Sequence, residues 1–381
     1  MLIALLSLTI LLTLGYCFLL WQLSRGLLFL KPGTNERKYM VSVVVAARNE
    51  QANIRNCLNS LIHQSYPSDL YEIIIVNDRS TDRTPEIVRQ FQRRNERIKL
   101  IEVSDLPSGI SPKKHALEQG IRAAKGEVIL TTDADCEPGS GWIEGMVRYF
   151  APEVGLVAGF SPIEGRGRQI LFSRLLKLDS LSLAAVAAGS FGLGKPLTCT
   201  GRNLAYRKET FISVAGFKQI QNLVSGDDDL FLHLVTQQTN WRVRYAIDPS
   251  TIVVTQPAQG WRSFIHQRIR HASKGRFYSW RMKILLLVIY LYNACLLVGV
   301  PLGLFSTKFL WGMIGCWLAK SLSELHLLHR FAAIFDYRQV LTIFPLAVPL
   351  HVPYVVIFGL WGQIGKFQWK QESFSAITKG S

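Results

Sequence analysis

The chain has 381 residues, 49% of them hydrophobic and only 18% charged, where a soluble domain carries about 25% charged. That balance points to a membrane and argues against an ordinary soluble nucleic-acid binder; 43 Lys and Arg against 27 Asp and Glu, a formal net charge of +16, suit anionic lipid or a phosphorylated substrate. Six cysteines (Cys17, Cys57, Cys136, Cys199, Cys295, Cys316) show no C-x-x-C spacing, so neither a zinc site nor a disulfide framework is indicated.

Leu2 to Trp21 is an uncharged run of about the 20 residues a helix needs to cross the hydrocarbon core. Arg25 follows it, the reverse of a secretory signal's order, which predicts a retained anchor. Arg25, Lys31, Arg37 and Lys38 open the middle segment, and Arg268, Arg270, Lys274, Arg276, Arg281 and Lys283 close it. The positive-inside rule then puts that segment in the cytoplasm. Within it, strand-like runs at Val41 to Ala46, Glu72 to Val76, Lys99 to Val103 and Glu127 to Thr131 alternate with helical patterns at Ala52 to His63, Pro85 to Arg93 and Lys113 to Ala124. This is the rhythm of an α/β fold with a parallel sheet covered on both faces.

Gln169 to Gly189 reads as an interfacial helix pair, and Trp261 to Trp280, aromatic and basic, as an amphipathic interfacial segment. Neither has the charge density of a nucleic-acid groove. Spans follow at Ile284 to Phe305 and Val340 to Trp361. Phe309 to Phe335 between them is long enough to cross but holds Lys320, Glu324, His326 and His329, which are expensive at membrane depth unless paired. Whether it crosses decides the side on which the tail with Lys366, Lys370 and Lys379 ends. The expected organisation is an anchor at 1–24, a cytosolic domain with interfacial helices at 38–283, a region of two to three membrane helices at 284–365, and a tail at 366–381. Such a chain is a multi-pass protein of the cell membrane.

The expected strands end in Arg48-Asn49-Glu50, Asn77-Asp78-Arg79-Ser80 and Thr132-Asp133-Ala134-Asp135. Open α/β sheets bind ligands at the carboxyl ends of their strands, so these clusters converge on one crevice. The absence of G-x-G-x-x-G after the first strand argues against a dinucleotide oxidoreductase. In an extended segment Asp133 and Asp135 point to one side, about 7 Å apart at the backbone. D-x-D is ordinarily a solvated acidic turn, but at the end of a buried strand these oxygens suit Mg²⁺ or Mn²⁺ shared with substrate phosphates. Asp227, Asp228 and Asp229 precede an apolar helical run. Helix capping explains one or two of them, and the surplus carboxylate is a natural general base.

The order of the Arg48-Asn49-Glu50 strand end, an N-D-x-S-x-D turn, Lys113-x-x-Ala116-Leu117, Asp133-x-Asp135, Gly226-Asp227-Asp228 and Gln267-x-x-Arg270 resembles the inverting, membrane-bound family 2 glycosyltransferases, with a GT-A (Rossmann-like) catalytic domain. The resemblance covers about Val41 to Gly275. It implies that Arg48, Asn49, Glu50, Asn77 and Asp78 hold the nucleoside, that Lys113 sits near the diphosphate, and that Asp133 and Asp135 bind nucleotide and metal. It further implies that Gly201, Arg202 and Asn203 line the acceptor side, that Asp228 is the base, and that Gln267 and Arg270 close over acceptor and diphosphate. The chain departs from the family pattern at Ala46, where proline is usual, at Asn77, where aspartate is commoner, and at His271, which replaces a tryptophan. The expected donor is a nucleoside-diphosphate sugar, with uridine as the guessed base, and the expected acceptor is a lipid such as a glyceride, ceramide, carotenoid or polyprenyl phosphate. The alternatives are a polysaccharide synthase and a catalytically inactive nucleotide-sugar-binding scaffold, the latter disfavoured by the intact carboxylates.

Overall fold

The computed structural model of the protein describes residues 1–164, 170–257, 260–369 and 372–375. In chain order these form α1 (Leu2–Gly26), β1 (Val41–Ala47), α2 (Ile54–Ile62), β2 (Tyr71–Asp78), α3 (Thr84–Gln92), β3 (Ile98–Val103), α4 (Pro112–Ala123), β4 (Val128–Thr131), β5 (Cys136–Pro138), α5 (Trp142–Val147) and β6 (Val154–Ala158). There follow α6 (Ile170–Gly192), β7 (Leu204–Arg207), α7 (Lys208–Ser213), α8 (Asp229–Gln238), β8 (Arg242–Tyr245), β9 (Val253–Thr255), α9 (Gly260–Ser273), α10 (Trp280–Leu302), α11 (Thr307–Phe335), α12 (Phe344–Ile364), β10 (Lys366–Trp369) and β11 (Glu372–Ser375). Two compact units result: an α/β unit from Phe29–Ser173 and Val186–Pro257, and a helical unit from Met1–Leu28, Arg174–Ala185 and Ala258–Thr378. The segment 38–283 is thus shared between the two, since α9 groups with the helices.

In the α/β unit a seven-stranded sheet has the order β3-β2-β1-β4-β7-β6-β8. The four strands expected from the sequence are mutually parallel, but β7 runs antiparallel to β4 and β6, so the sheet is mixed and not purely parallel. The runs in β1 and β2 are almost unbroken Val and Ile because both faces are covered. On one face Val43, Val45, Ile73 and Ile75 pack with Ile54 and Leu58 of α2 and Trp142 of α5. Helix starts carry their expected chemistry: Pro85 and Pro112 occupy the first turns of α3 and α4, where a missing N–H loses nothing.

β2 also buries a charge. The Glu72 carboxylate accepts from Ser42 Oγ at 2.7 Å and the Lys125 N–H at 2.6 Å, and pairs with the Lys99 ammonium. Burial pushes its pKa up, but these donors outweigh it and hold the carboxyl below the usual range.

Among the described residues three stretches are long and apolar enough to cross a membrane: Leu2–Phe29, Trp280–Phe305 and Arg338–Ile364. α11, the stretch left ambiguous by its charges, is one continuous helix of 29 residues, about 43 Å at the α-helical rise. It runs parallel to α1, with Leu6 against Gly312, the Cys17 thiol on the Ala319 carbonyl and Arg330 on the Ser24 hydroxyl. Two of its charges pair with each other. Lys320 Nζ donates to Glu324 Oε1 at 2.7 Å and lies 3.0 Å from His351 Nδ1, and the Tyr16 hydroxyl donates to the same Glu324 oxygen at 2.7 Å.

The expected interfacial helix pair at Gln169 to Gly189 is instead the single helix α6; Gln169 itself lies outside the described residues. No glycine or proline interrupts its first 19 residues, so nothing breaks it into two. Within the expected tail, β10 and β11 pair antiparallel, while Lys370 and Lys379 lie outside the described residues.

Because the folded pKa of Glu72 is depressed, its stabilisation is present above the unfolded value of about 4.3 and is lost as pH falls through the folded value. Glu72→Gln should therefore flatten the acid limb of the stability profile, measured by thermal unfolding of the full chain in detergent between about pH 3 and pH 6.

Candidate active site

The clusters expected to share a crevice lie at the carboxyl ends of β1, β2 and β4, which are parallel neighbours in the sheet. Asp78, the last residue of β2, is buried; Arg79 Nε donates to its Oδ1 at 2.9 Å, and the Arg48 guanidinium lies 3.9 Å from Oδ2. Asn49 and Arg79 both take positive φ, 53° each, asparagine being among the residues that tolerate it best. These turns lock the two loops together. Asn49 N–H donates to Ser80 Oγ at 3.0 Å, Asn49 Oδ1 accepts from Thr81 N–H at 2.8 Å, and Glu50 N–H donates to Thr84 Oγ1 at 2.8 Å. Asn77 Oδ1 accepts the Ser80 N–H at 3.3 Å, so the carbonyl end of that amide serves the turn.

Asp82, the last residue of the N-D-x-S-x-D turn, closes the same seam by accepting from Gln51 N–H at 3.0 Å and Thr84 N–H at 2.9 Å. Burial raises its pKa, yet hydrogen bonds from Thr84 and these amides hold it below the ordinary carboxylate range. The signal was present in the sequence as an Asp two residues ahead of Thr84-Pro85, a helix-start pattern.

The charged centre is built around Lys113. Its ammonium is 2.8 Å from Asp133 Oδ1 and 2.8 Å from Asp227 Oδ2, joining the first turn of α4, the end of β4 and the loop before α8. Burial lowers the pKa of Lys113, but the two carboxylates outweigh it and raise it above its ordinary value, so the cation is permanent. Gly201 touches the same cluster: a Cβ there would sit 3.0 Å from Asp227 Oδ2 and 3.7 Å from Lys113 Nζ, so a larger residue would press on the ion pair. Lys114, next in the chain, is buried and donates to the carbonyls of Leu223 at 2.5 Å and Ser225 at 2.7 Å. It pins the loop that presents the acidic triplet. No side-chain pattern announces such a role, because its partners are backbone.

The three aspartates have different surroundings. Asp227 is held by Lys113. Asp229 is 1% exposed and accepts its neighbour's N–H at Leu230. Asp228 is the N-cap of α8, with Oδ1 accepting Asp229 N–H at 2.7 Å and Oδ2 accepting Gly201 N–H at 3.2 Å. Gly226, at φ 95°, makes the sharp approach to this cap; a Cβ there would meet Leu230 at 2.4 Å.

Asp133 and Asp135 flank the buried Ala134 and are themselves partly exposed. Among the described residues no group of three or more His, Cys, Asp or Glu forms a metal cage. Two hard carboxylates with an open side fit Mg²⁺ or Mn²⁺, which keep waters and substrate oxygens as their other ligands. The thiols beside them do not compete: burial, with the Asp135 charge next, raises the pKa of both Cys57 and Cys136. No cysteine of the chain is disulfide-bonded.

One expectation needs correction. Asn203 is fully buried, its Nδ2 donating to the carbonyls of Phe160 and Thr251, both at 2.8 Å, and its Oδ1 accepting from Trp142 Nε1 at 2.9 Å. Every polar edge is used inside the core, so Asn203 supports the acceptor-side loop and offers no surface to a substrate. Gln267, Arg270 and His271 lie on α9 of the helical unit. There the intervening Arg268 is 6% exposed and pairs with Asp179 at 2.7 Å, and the Tyr354 hydroxyl donates to the same carboxylate at 3.3 Å.

The mixed α/β sheet, with Lys113 bridged by a strand-end and a loop carboxylate, belongs to a chain whose relatives are known. Residues 42–212 match the family described as Glycosyl transferase family 2, and residues 128–358 match Glycosyl transferase family group 2. The chain belongs to the family 2 glycosyltransferases and is an enzyme of that class. It is 27% identical over 245 residues to the probable glycosyltransferase YdaM of Bacillus subtilis, covering 62% of this chain and 55% of that one. It is 33% identical over 138 residues to a beta-monoglucosyldiacylglycerol synthase of Nostoc sp., covering 35% of this chain and 29% of that one. The matches thus span little more than half of the first relative and under a third of the second. Its fold resembles a mannosyltransferase of Pyrobaculum calidifontis solved with GDP-Man and Mn²⁺, with TM-score 0.56 and 21% identity over 94% of this chain and 99% of that one.

Asn203→Ala removes three buried hydrogen bonds; the Phe160 carbonyl keeps the Val253 N–H at 3.2 Å, and a buried polar group left unsatisfied costs about 1–3 kcal/mol. Thermal unfolding should show a clear loss of stability, while KM for the donor in the folded fraction stays within about twofold of wild type, since RT ln 2 is well under 1 kcal/mol. A large rise in KM at unchanged stability would restore Asn203 to the substrate surface.

Proposed function

We propose that this glycosyltransferase moves a sugar from a nucleoside-diphosphate sugar to a lipid acceptor, in one displacement with inversion, on the cytoplasmic side of a membrane its helices cross. The observation that carries the reading is the Lys113 ammonium held between Asp133 and Asp227, with the Asp228 carboxylate on the adjoining residue. A diphosphate needs a fixed cation at the strand ends, and an acceptor hydroxyl needs a carboxylate on the other side of the anomeric carbon.

In this reading Arg48, Asn49, Glu50, Asn77 and Asp78 hold the nucleoside, and Lys113 faces the diphosphate. Asp133 and Asp135 would hold Mg²⁺ or Mn²⁺, which offsets charge on the leaving diphosphate. Asp228 takes the acceptor proton, because Asp227 is neutralised by Lys113 and Asp229 is buried. Gln267, Arg270 and His271 act on acceptor and diphosphate, and Gly201 leaves room beside the base. The donor and cation are supported by the Pyrobaculum mannosyltransferase, which was solved with GDP-Man and Mn²⁺.

The lipid acceptor is supported by three stretches able to cross a membrane and by the Nostoc relative, which makes a glucosyldiacylglycerol. The basic flanks of the α/β segment favour its cytoplasmic placement. The test incubates membranes containing the protein with radiolabelled nucleotide sugars. Label should pass into the organic phase, stop in excess chelator, and disappear in Asp135→Ala without loss of thermal stability. Label appearing only in water-soluble polymer would instead identify a polysaccharide synthase, and full turnover in chelator would remove the metal.

A further inference from the structure

A cavity of about 450 Å³ in the α/β unit lies apart from the crevice, along the edge strand β8. Three strand spacings separate β8 from β4 in the sheet order, about 14 Å, and none of the crevice residues lines it. Its walls include Phe191, Trp241 and Tyr245, and its charged lining is Lys31, Arg242 and Arg244; no carboxylate lines it. Glu153 reaches Arg242 from outside at 3.6 Å, but that arginine's side chain is 70% exposed and such a pair is weak.

The chain itself locates this cavity. Phe29, part of its wall, is the last residue of the membrane-crossing stretch Leu2–Phe29, and Lys31 is two residues further on. Two residues reach at most about 7 Å, so the cationic wall begins at the depth of lipid headgroups. An apolar floor with three cations suits an amphiphile whose head is anionic, and cations at this depth each add about a factor of five in affinity for anionic lipid.

We propose that this cavity binds the headgroup phosphate of an anionic membrane phospholipid, as a site separate from the one where sugar is transferred. The proposal rests on the membrane reading above and is independent of the acceptor's identity. The experiment reconstitutes the full chain into nanodiscs of phosphatidylcholine alone or mixed with phosphatidylglycerol, and native mass spectrometry counts the lipid retained. Wild type should retain phosphatidylglycerol in preference to phosphatidylcholine. The Lys31→Gln/Arg244→Gln variant should lose that preference by on the order of tenfold or more, whereas Arg244→Lys, which keeps the charge, and Arg83→Gln, at an exposed arginine elsewhere in the unit, should retain it.

Sugar transfer measured on the same samples checks that each variant is folded. Equal retention of the two lipids by wild type, or unchanged preference in the double variant, overturns the site. Inorganic phosphate that binds in detergent as tightly as the lipid, and is lost in the double variant, overturns the lipid assignment in favour of a free phosphate. A chain that stays soluble without detergent overturns the membrane reading itself, an outcome distinct from either.

Discussion

The site depends on one ion triad. Lys113 stands between Asp133 at the end of β4 and Asp227 in the loop ahead of α8, and these three side chains come from positions far apart in the chain. Removing Lys113 leaves two carboxylates facing each other without compensation, the situation in which ion pairs matter most. The triad fixes the acidic loop against the sheet, and Lys114 secures the same loop through the carbonyls of Leu223 and Ser225. Two adjacent lysines in the first turn of α4 therefore divide the work: one supplies charge to the crevice, the other holds the backbone that carries Asp228. A diphosphate entering the crevice would meet a cation already desolvated and oriented, which is how preorganised charge becomes useful to a leaving group.

Much of this was legible in the residues. Unbroken Val and Ile runs in β1 and β2 declared a sheet buried on both faces, and the polar clusters that follow the strands marked the end of the sheet where Lys113 meets Asp133 and Asp227. The antiparallel β7 was not legible, because a four-residue strand paired on both sides carries no pattern that reveals direction. Asn203 misled for a related reason: a polar residue in a family motif looks like a ligand contact, and only its three core hydrogen bonds show that it braces the loop. Capping was expected of one or two aspartates of the triplet, and which one caps is set by the carboxylate that reaches the first amide, that of Asp228.

In the helical unit Lys320, Glu324, His351 and Tyr16 come from three helices and meet around one carboxylate oxygen, so two of the four residues that made α11 doubtful as a span, Lys320 and Glu324, tie α1, α11 and α12 together. Asp179 and Arg268 make a similar tie between α6 and α9, immediately beside Gln267 and Arg270. Charge is sparse in this chain, and in both units it is concentrated where elements distant in sequence must hold a fixed geometry.

The account turns on which carboxylate of Asp227, Asp228 and Asp229 takes the acceptor proton, and single-turnover transfer measured with donor affinity for the three Asn variants decides it. Asp228→Asn should slow transfer by at least about a hundredfold with donor affinity unchanged. Asp227→Asn should weaken donor binding, because it releases Lys113, and Asp229→Asn should lower stability while keeping most of the rate. A rate loss confined to Asp227 or Asp229, with Asp228→Asn transferring sugar at the wild-type rate, would contradict the assignment of the base and the placement of the acceptor that follows from it.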